Sequence, residues 1–437
     1  MHKVGLFWFQ QDLRLSDNTA LLAACQQCKQ LILVYCAEPG WFSPGRYHSK
    51  RMGVQRWRFV LDSVQELQQQ LHQRGQQLLI RFQSPVQAIS ELISHYQVDA
   101  IYRSRQPGFY EQQQWQQIQS RFPYLHYSEV DSNTLFEQQQ LPFPLHELPA
   151  SFSQFRKQAE RLKVLPAQQA PTDMPTSPVK NARYDDLPAY PHWLKPMMHG
   201  GEASGQQHLQ QYFKGTLASH YKEVRNELDG FTNSTKFSAW LASGCISPRQ
   251  VISALNDYEA HHGQNDSTYW IYFELLWREY FHWYSHSVGK QLFLRHGIKT
   301  QRTLHTSFYP QRFQAWCAGN TPYPLVNACM HQLSETGYLS NRGRQIVASC
   351  FVNELQLDWR YGAAWFEQQL IDYDVAVNWG NWQYLAGVGV DPRGQRHFDI
   401  IKQQSRYDAN GSFIKRWNGG TAHSALDWVD AADWPCS

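Results

Sequence analysis

Three segments in the second half of this 437-residue chain put polar side chains where a plain helical core would not want them. The first is Asn233-Ser234-Thr235-Lys236-Phe237-Ser238, running on to Ser243, Ser247 and Arg249. Small hydroxyl residues opening a helix present side-chain donors beside free backbone N–H groups, which suits a pyrophosphate. The same residues also serve as simple N-caps. The second segment is Glu274-Leu275-Leu276-Trp277-Arg278-Glu279-Tyr280. Glu274, Trp277 and Arg278 stand at i, i+3 and i+4, so a carboxyl, an indole and a guanidinium share one helical face. A flat stacking surface beside an acid suits a base or a similar planar ligand. An interfacial Trp next to a surface ion pair would read the same way. The third segment carries Asn341, Arg342, Arg344 and Gln345, then Asp358-Trp359-Arg360, then Asp372-Tyr373-Asp374 and Asn378 to Tyr384. Asp372 and Asp374 lie in apolar surroundings and need partners if buried, and Arg344 is the obvious one.

The elements that must position these groups fall into two kinds. Short apolar runs at 4–9, 31–36, 77–82, 100–102 and 125–130 alternate with helix-like stretches, a βαβα rhythm that predicts a parallel, doubly wound sheet. Phe9-Gln10-Gln11-Asp12-Leu13-Arg14 follows the first run, so the glycine fingerprint of dinucleotide-binding sheets is absent there. From Leu165 to Pro196 prolines recur among polar residues and no period survives, which reads as a linker. Beyond Gly200 the spacing is helical, as in Tyr269, Phe273, Leu276, Trp277, Tyr280, Phe281 and Tyr284. Twelve of the 17 tryptophans follow residue 200, where large rings would fill a helical core.

Lys+Arg 40 against Asp+Glu 37 leaves a net charge of +3, so any polyanion must be held by a local patch. The 8 cysteines lack disulfide-like spacing, and the first strand leaves no room for a leader; both point to a reducing, cytoplasmic setting. Cys25 and Cys28 fall within an apparent helix and read as packing. No apolar run reaches membrane length. The Gln-rich strings 112–114 and 138–140 read as solvated surface.

Together, Ser340-Asn341-Arg342-Gly343-Arg344-Gln345, Asp358-Trp359-Arg360-Tyr361-Gly362-Ala363, Ile371-Asp372-Tyr373-Asp374 and the run from Trp379 to Gly389 resemble the photolyase/cryptochrome family, and more closely its cryptochrome-DASH branch. The likeness extends from the first strand to about Trp417. It implies an α/β Rossmann-like N-terminal domain with a parallel sheet over 1–132, a linker over 133–200 and an all-α flavin-binding domain over 201–437. It further implies FAD held in the helical domain, with Tyr221 and Ser234, Thr235, Lys236, Phe237 and Ser238 around its phosphates. Arg344 and Asp372 match a salt bridge over the isoalloxazine, Asp374 a hydrogen-bonding partner of its pyrimidine edge, and Asn378 the residue facing N5. Glu274, Trp277, Asn341, Gln345 and Tyr384 match the cavity for a flipped pyrimidine dimer, and Arg225 and Arg342 match phosphate contacts. The implied activity is light-driven dimer repair, preferentially in single-stranded DNA, with Glu274, Asn378, Trp382 and Trp359 as its working residues. Blue-light signalling through the flavin is the alternative. No membrane and no obligate protein partner are implied.

Several positions depart from the family. Trp382 and Trp359 match the proximal and middle members of a three-tryptophan relay, but the third position holds Thr306. The hole then either stops at Trp359, with slower photoreduction, or passes to Tyr309, Trp316 or Phe308. Asp399 replaces a usual Asn, and Asn418-Gly419-Gly420 follows Trp417 in place of the family's continuation. A methenyltetrahydrofolate antenna would sit between the domains beside Glu111, although Gln106 to Tyr110 differ from the family pattern. The purified protein is expected to be yellow and to release one equivalent of FAD on acid treatment; correctly folded, colourless protein would contradict this.

Overall fold

The computed structural model describes residues 1–180, 185–191, 194–301, 304–390, 394 and 396–420. Parts of the proline-rich segment and the last residues of the chain lie outside that set. Five parallel strands, β1 (His2–Phe9), β2 (Cys28–Ala37), β3 (Leu78–Phe82), β4 (Ala100–Ser104) and β5 (His126–Val130), form one sheet in the order β3-β2-β1-β4-β5. Helices Thr19–Gln27, Val54–Gln73, Pro85–Tyr96 and Phe109–Arg121 connect and cover them. Leu6 and Trp8 pack with Ile89 and Trp115 on one face, while Phe7 and Phe9 pack on the other. A strand buried on both sides needs a nearly unbroken apolar run, which is what makes β1 and β2 readable. β2 begins at Cys28, so only Cys25 is helical. Burial pushes the Cys25 thiol up to about 12, as expected of a packing residue rather than a reactive one.

The second half is built around the long helix Asp266–Val288, which is capped by Asn265 and packs along the helix Val375–Ala386. Helices Asn341–Asn353 and Trp359–Gln369 complete the wall behind that pair. Between sheet and bundle the chain forms the short helix Phe152–Ala159. Among the described residues of 165–196 there is neither helix nor strand, although Thr176 bridges Gln30 at the edge of the sheet. Glu279 on the long helix accepts the backbone N–H groups of Leu135 and Phe136 and the indole N–H of Trp283, and burial pushes its carboxyl up to about 7.

The turn after β1 joins the two halves. Arg14 is fully buried and donates to Asn133 Oδ1 (2.9 Å), the Gly244 carbonyl (2.8 Å), and the carbonyls of Asp17 and Ser132. Asp17 answers with Arg249 (3.0 Å) and Ser247 from the helical side. Glu202 accepts the N–H groups of Leu15 and Ser16 at 2.8 and 3.0 Å. Gly244, at φ +71°, lies so close that a Cβ there would overlap the Gln11 carbonyl. The Gln-rich strings are also tied in: Gln112 takes a bond from Arg103, Gln114 holds Glu38, and Gln138 meets Arg105. These three side chains are fixed polar contacts rather than idle surface, whereas Gln113 and Gln139 are exposed as expected.

Arg14→Ala should destabilise the protein by about 3–5 kcal/mol, because it leaves buried acceptors and an interdomain charge cluster uncompensated. Thermal melting checks this, and a melting temperature equal to that of the parent would refute the structural role.

Candidate functional site

The site is a deep cleft in the helical half, with the long helix as its spine. Glu274, Arg278 and His282 recur every fourth residue and therefore face the same way. Opposite them Asp374 caps the helix Val375–Ala386, accepting the N–H groups of Ala376 (3.0 Å) and Val377 (3.2 Å) through Oδ1. Its Oδ2 meets His282 Nε2 at 2.6 Å and Arg278 at 3.5 Å. Burial opposes the charge, yet His282, Arg278 and the Val377 N–H hold the carboxyl well below the usual carboxylate range. Desolvation lowers the pKa of His282 in turn.

Asp372 has a different partner. Both of its oxygens take bonds from Arg344, at 2.8 and 3.0 Å, while Arg344 Nε holds the Leu339 carbonyl. Arg344 therefore serves one aspartate, as the family pattern implies. The simpler expectation that it answers both is corrected by His282 and Arg278.

The same cleft is lined by Tyr221 and Ser234 through Ser238. The helix Ser238–Ser243 starts without any side-chain cap, so the hydroxyls of this segment are not spent on capping. Lys236, at φ +56°, bonds Ser234 (2.9 Å) and lies over the Tyr338 ring, which fixes a cation at the cleft wall. Glu274, Trp277, Asn341, Gln345 and Tyr384 line the same cleft. Arg225 pairs with Glu274 and lies over Trp270, so two groups expected to act separately form one ion pair. Burial pushes the Glu274 carboxyl up, against the pull of Arg225.

Phe152 stacks on Trp277 with ring centroids 3.7 Å apart, and Tyr384 meets Trp277 edge-on at 6.1 Å. Tyr384 is also held by Arg396. Arg342 bonds Asn226 (3.0 Å) beside the Tyr407 ring, just outside the cleft. Asn378 is 8 % exposed and donates to the Ala363 carbonyl, lying behind a lining formed by Asp374, Val377 and Asn381. Trp359 and Trp382 are buried deeper still. Asp399 caps the helix Ile400–Tyr407, far from any role in the cleft visible here. Sequence reasoning missed His282, Asn381, Phe152 and Tyr338. The four-residue step from Glu274 through Arg278 is the signal that could have found the first.

A second cleft lies between the two halves, lined by Gln10, Glu38, Tyr47, Arg51, Arg56 and Glu111 and by Glu367, Tyr373 and Trp379. Burial pushes Glu38 up while Gln114 holds it.

The sequence profile described as DNA photolyase matches residues 5–176, and that described as the FAD binding domain of DNA photolyase matches 270–432. The chain is 51% identical over 436 residues to Cryptochrome DASH of Idiomarina loihiensis, covering 99% of this chain and 97% of that one. It belongs to the cryptochrome DASH branch of the photolyase family. A Vibrio parahaemolyticus Cryptochrome DASH is 48% identical with the same coverage. The solved Synechocystis sp. PCC6803 cryptochrome superposes with a TM-score of 0.90 at 36% identity, covering 95% of this chain and 88% of that one. A class III photolyase from Agrobacterium tumefaciens gives 0.81 at 27% identity, covering 95% and 86%.

The donor set of this DASH chain fits FAD. Paired carboxylates suit the N–H edge of a flavin, fixed cations suit a pyrophosphate, and one cleft is lined by both groups of residues. Among the described residues no group of His, Cys, Asp or Glu could hold a metal, and no helix is long and apolar enough to cross a membrane.

Replacing His282 by Leu removes the partner that keeps Asp374 charged. Flavin occupancy at neutral pH should fall, read as the flavin-to-protein absorbance ratio in protein with unchanged circular dichroism. Unchanged occupancy would show that Arg278 and the backbone suffice.

Proposed function

We propose that this protein repairs cyclobutane pyrimidine dimers under light, with a preference for single-stranded DNA. The observation that carries the reading is that Glu274, Trp277, Asn341, Gln345 and Tyr384 line the same cleft as Asp372, Asp374, Arg344 and the Ser234 to Ser238 segment. A flipped lesion would then lie against the cofactor that acts on it. FAD, reduced and photoexcited, supplies the electron that opens the dimer and recovers it afterwards.

The remaining work falls to the chain. Trp277 and Tyr384 meet at 79° and offer two walls of a corner, suited to a dimer whose bases cannot lie flat on each other. The Glu274–Arg225 pair stands where negative charge would develop on the lesion, and its pre-set dipole would stabilise that charge without reorganisation. Arg225 and Arg342 would steer the phosphates on either side. Asn378, behind the cleft lining with its amide held by the Ala363 carbonyl, is neutral and so would add no competing charge near the reduced cofactor. A dimer in a single strand needs no partner bases unpaired before entry, which lowers the cost of extrusion.

The cleft between the domains is proposed to take the folate antenna. Glu111 and Glu38 offer acceptors to an amino-pyrimidinone edge, and Arg51 and Arg56 offer cations to its carboxylates.

Trp277→Ala should weaken binding to dimer-containing single strands by about 1–3 kcal/mol, the usual worth of one base–aromatic stack, and leave the flavin spectrum unchanged. Equal lesion affinity in variant and parent removes Trp277 from the pocket.

A further inference from the structure

The third relay position, Thr306, has no ring to oxidise. It is nevertheless linked to Trp359 through Arg295, which donates to the Thr306 carbonyl and accepts the Trp359 indole N–H at 3.0 Å through its own carbonyl. The side chains weighed from the sequence do not extend the path from Trp359. Trp316 packs on Trp382 rather than Trp359, is fully buried and donates to the Val347 carbonyl. Tyr309 lies under Arg312. Phe308 stacks on Tyr361, and a phenyl ring is too hard to oxidise to end a relay.

Trp379 does extend it. Its ring meets Trp359 edge-to-face with centroids 5.7 Å apart. Its indole N–H donates to the Tyr373 hydroxyl at 3.2 Å. The buried carboxyl of Glu367 lines the same cleft next to Tyr373, beside Arg51 and Arg56. Tyr373, Trp379 and Glu367 all line the interdomain cleft, which opens to solvent. A phenol gives up an electron readily only when a base takes its proton at the same time, and the carboxyl of Glu367 is the base at hand in that cleft.

We propose that Trp379 and Tyr373 replace the missing distal tryptophan and carry the oxidising equivalent from Trp359 into the interdomain cleft. One electron passes from Tyr373 to oxidised Trp379, and the Tyr373 proton moves to Glu367. Trp379, Trp359 and Trp382 are each restored as the electron moves inward to the photoexcited oxidised flavin, which is the oxidant. Tyr373 is left as a neutral radical, and a small thiol entering the cleft returns one electron and one proton to it. Arg56 lies 4.3 Å over the Tyr373 ring and disfavours a cation there, so the radical forms as the deprotonated species.

This inference rests on the reading of Trp382 and Trp359 as the inner pair, and the test separates the two. Flavin-loaded protein, with or without ring-deuterated tyrosine, is illuminated and freeze-trapped for electron paramagnetic resonance, and photoreduction is followed in parallel with thiol present. The parent should give a tyrosyl signal that narrows on deuteration. Tyr373→Phe and Trp379→Phe should lose that signal, and Glu367→Gln should give a tryptophanyl signal instead. Thr306→Trp placed in the Trp379→Phe background should restore photoreduction with a tryptophanyl radical. Melting temperature and bound-flavin absorbance confirm that each variant is folded and loaded. A tyrosyl signal that survives Tyr373→Phe, or a parent that shows only a tryptophanyl signal, overturns the proposal. Undiminished photoreduction in Trp382→Phe overturns the inner-pair reading itself.

Discussion

The architecture depends on a buried exchange of charge and hydrogen bonds in the turn after β1. Arg14 reaches the backbone of the helical half at Gly244, and Asp17 receives Arg249 and Ser247 from it. In many parallel sheets that turn is where a nucleotide phosphate rests, on glycines that let the backbone approach closely. Here side chains fill the same space and the close approach is made by Gly244 from the other domain. A position that could have bound a ligand is spent on holding two domains in register. Both clefts depend on that register, because one lies between the domains and the other is lined by Trp277, whose ring is stacked by Phe152 of the helix that connects them.

The electrostatics of the helical cleft follow from pairing rather than from net charge. Arg225, Arg278 and Arg344 each meet a carboxylate, and Lys236 meets a hydroxyl and a ring. The desolvation cost of burying these ions is offset within each pair. What a ligand meets is a set of oriented dipoles in a shielded space, where they act more strongly than free ions in water would. The small overall charge of +3 conceals this arrangement.

Much of the fold was legible because its inner strands β1, β2 and β4 are buried on both faces and its long helix keeps a helical period. The Asp372–Arg344 pair was legible through the family resemblance, whereas the residues alone assigned Arg344 to both aspartates. Asp374 shows the limit. Its partner His282 sits 92 residues earlier, on a helix whose other side is packed with aromatics, and a histidine there reads as core. Only the meeting of two helices reveals its role. Phe152 was hidden for a similar reason, since it belongs to a stretch that seemed to do nothing except connect. Glu111 fell in the expected cleft, whereas the Gln-rich strings proved only partly surface, because a glutamine looks the same in sequence whether it faces water or an arginine.

The contact between Phe152 and Trp277 has a thermodynamic consequence. With its ring already clamped at 3.7 Å, Trp277 has lost its rotamer freedom during folding and has none left to lose when a base arrives. The entropy of ordering that side chain is charged to the stability of the apoprotein instead of to complex formation, so the face offered to the ligand is preorganised. The chain segment that tethers one domain to the other thus also sets how stiff the recognition surface is.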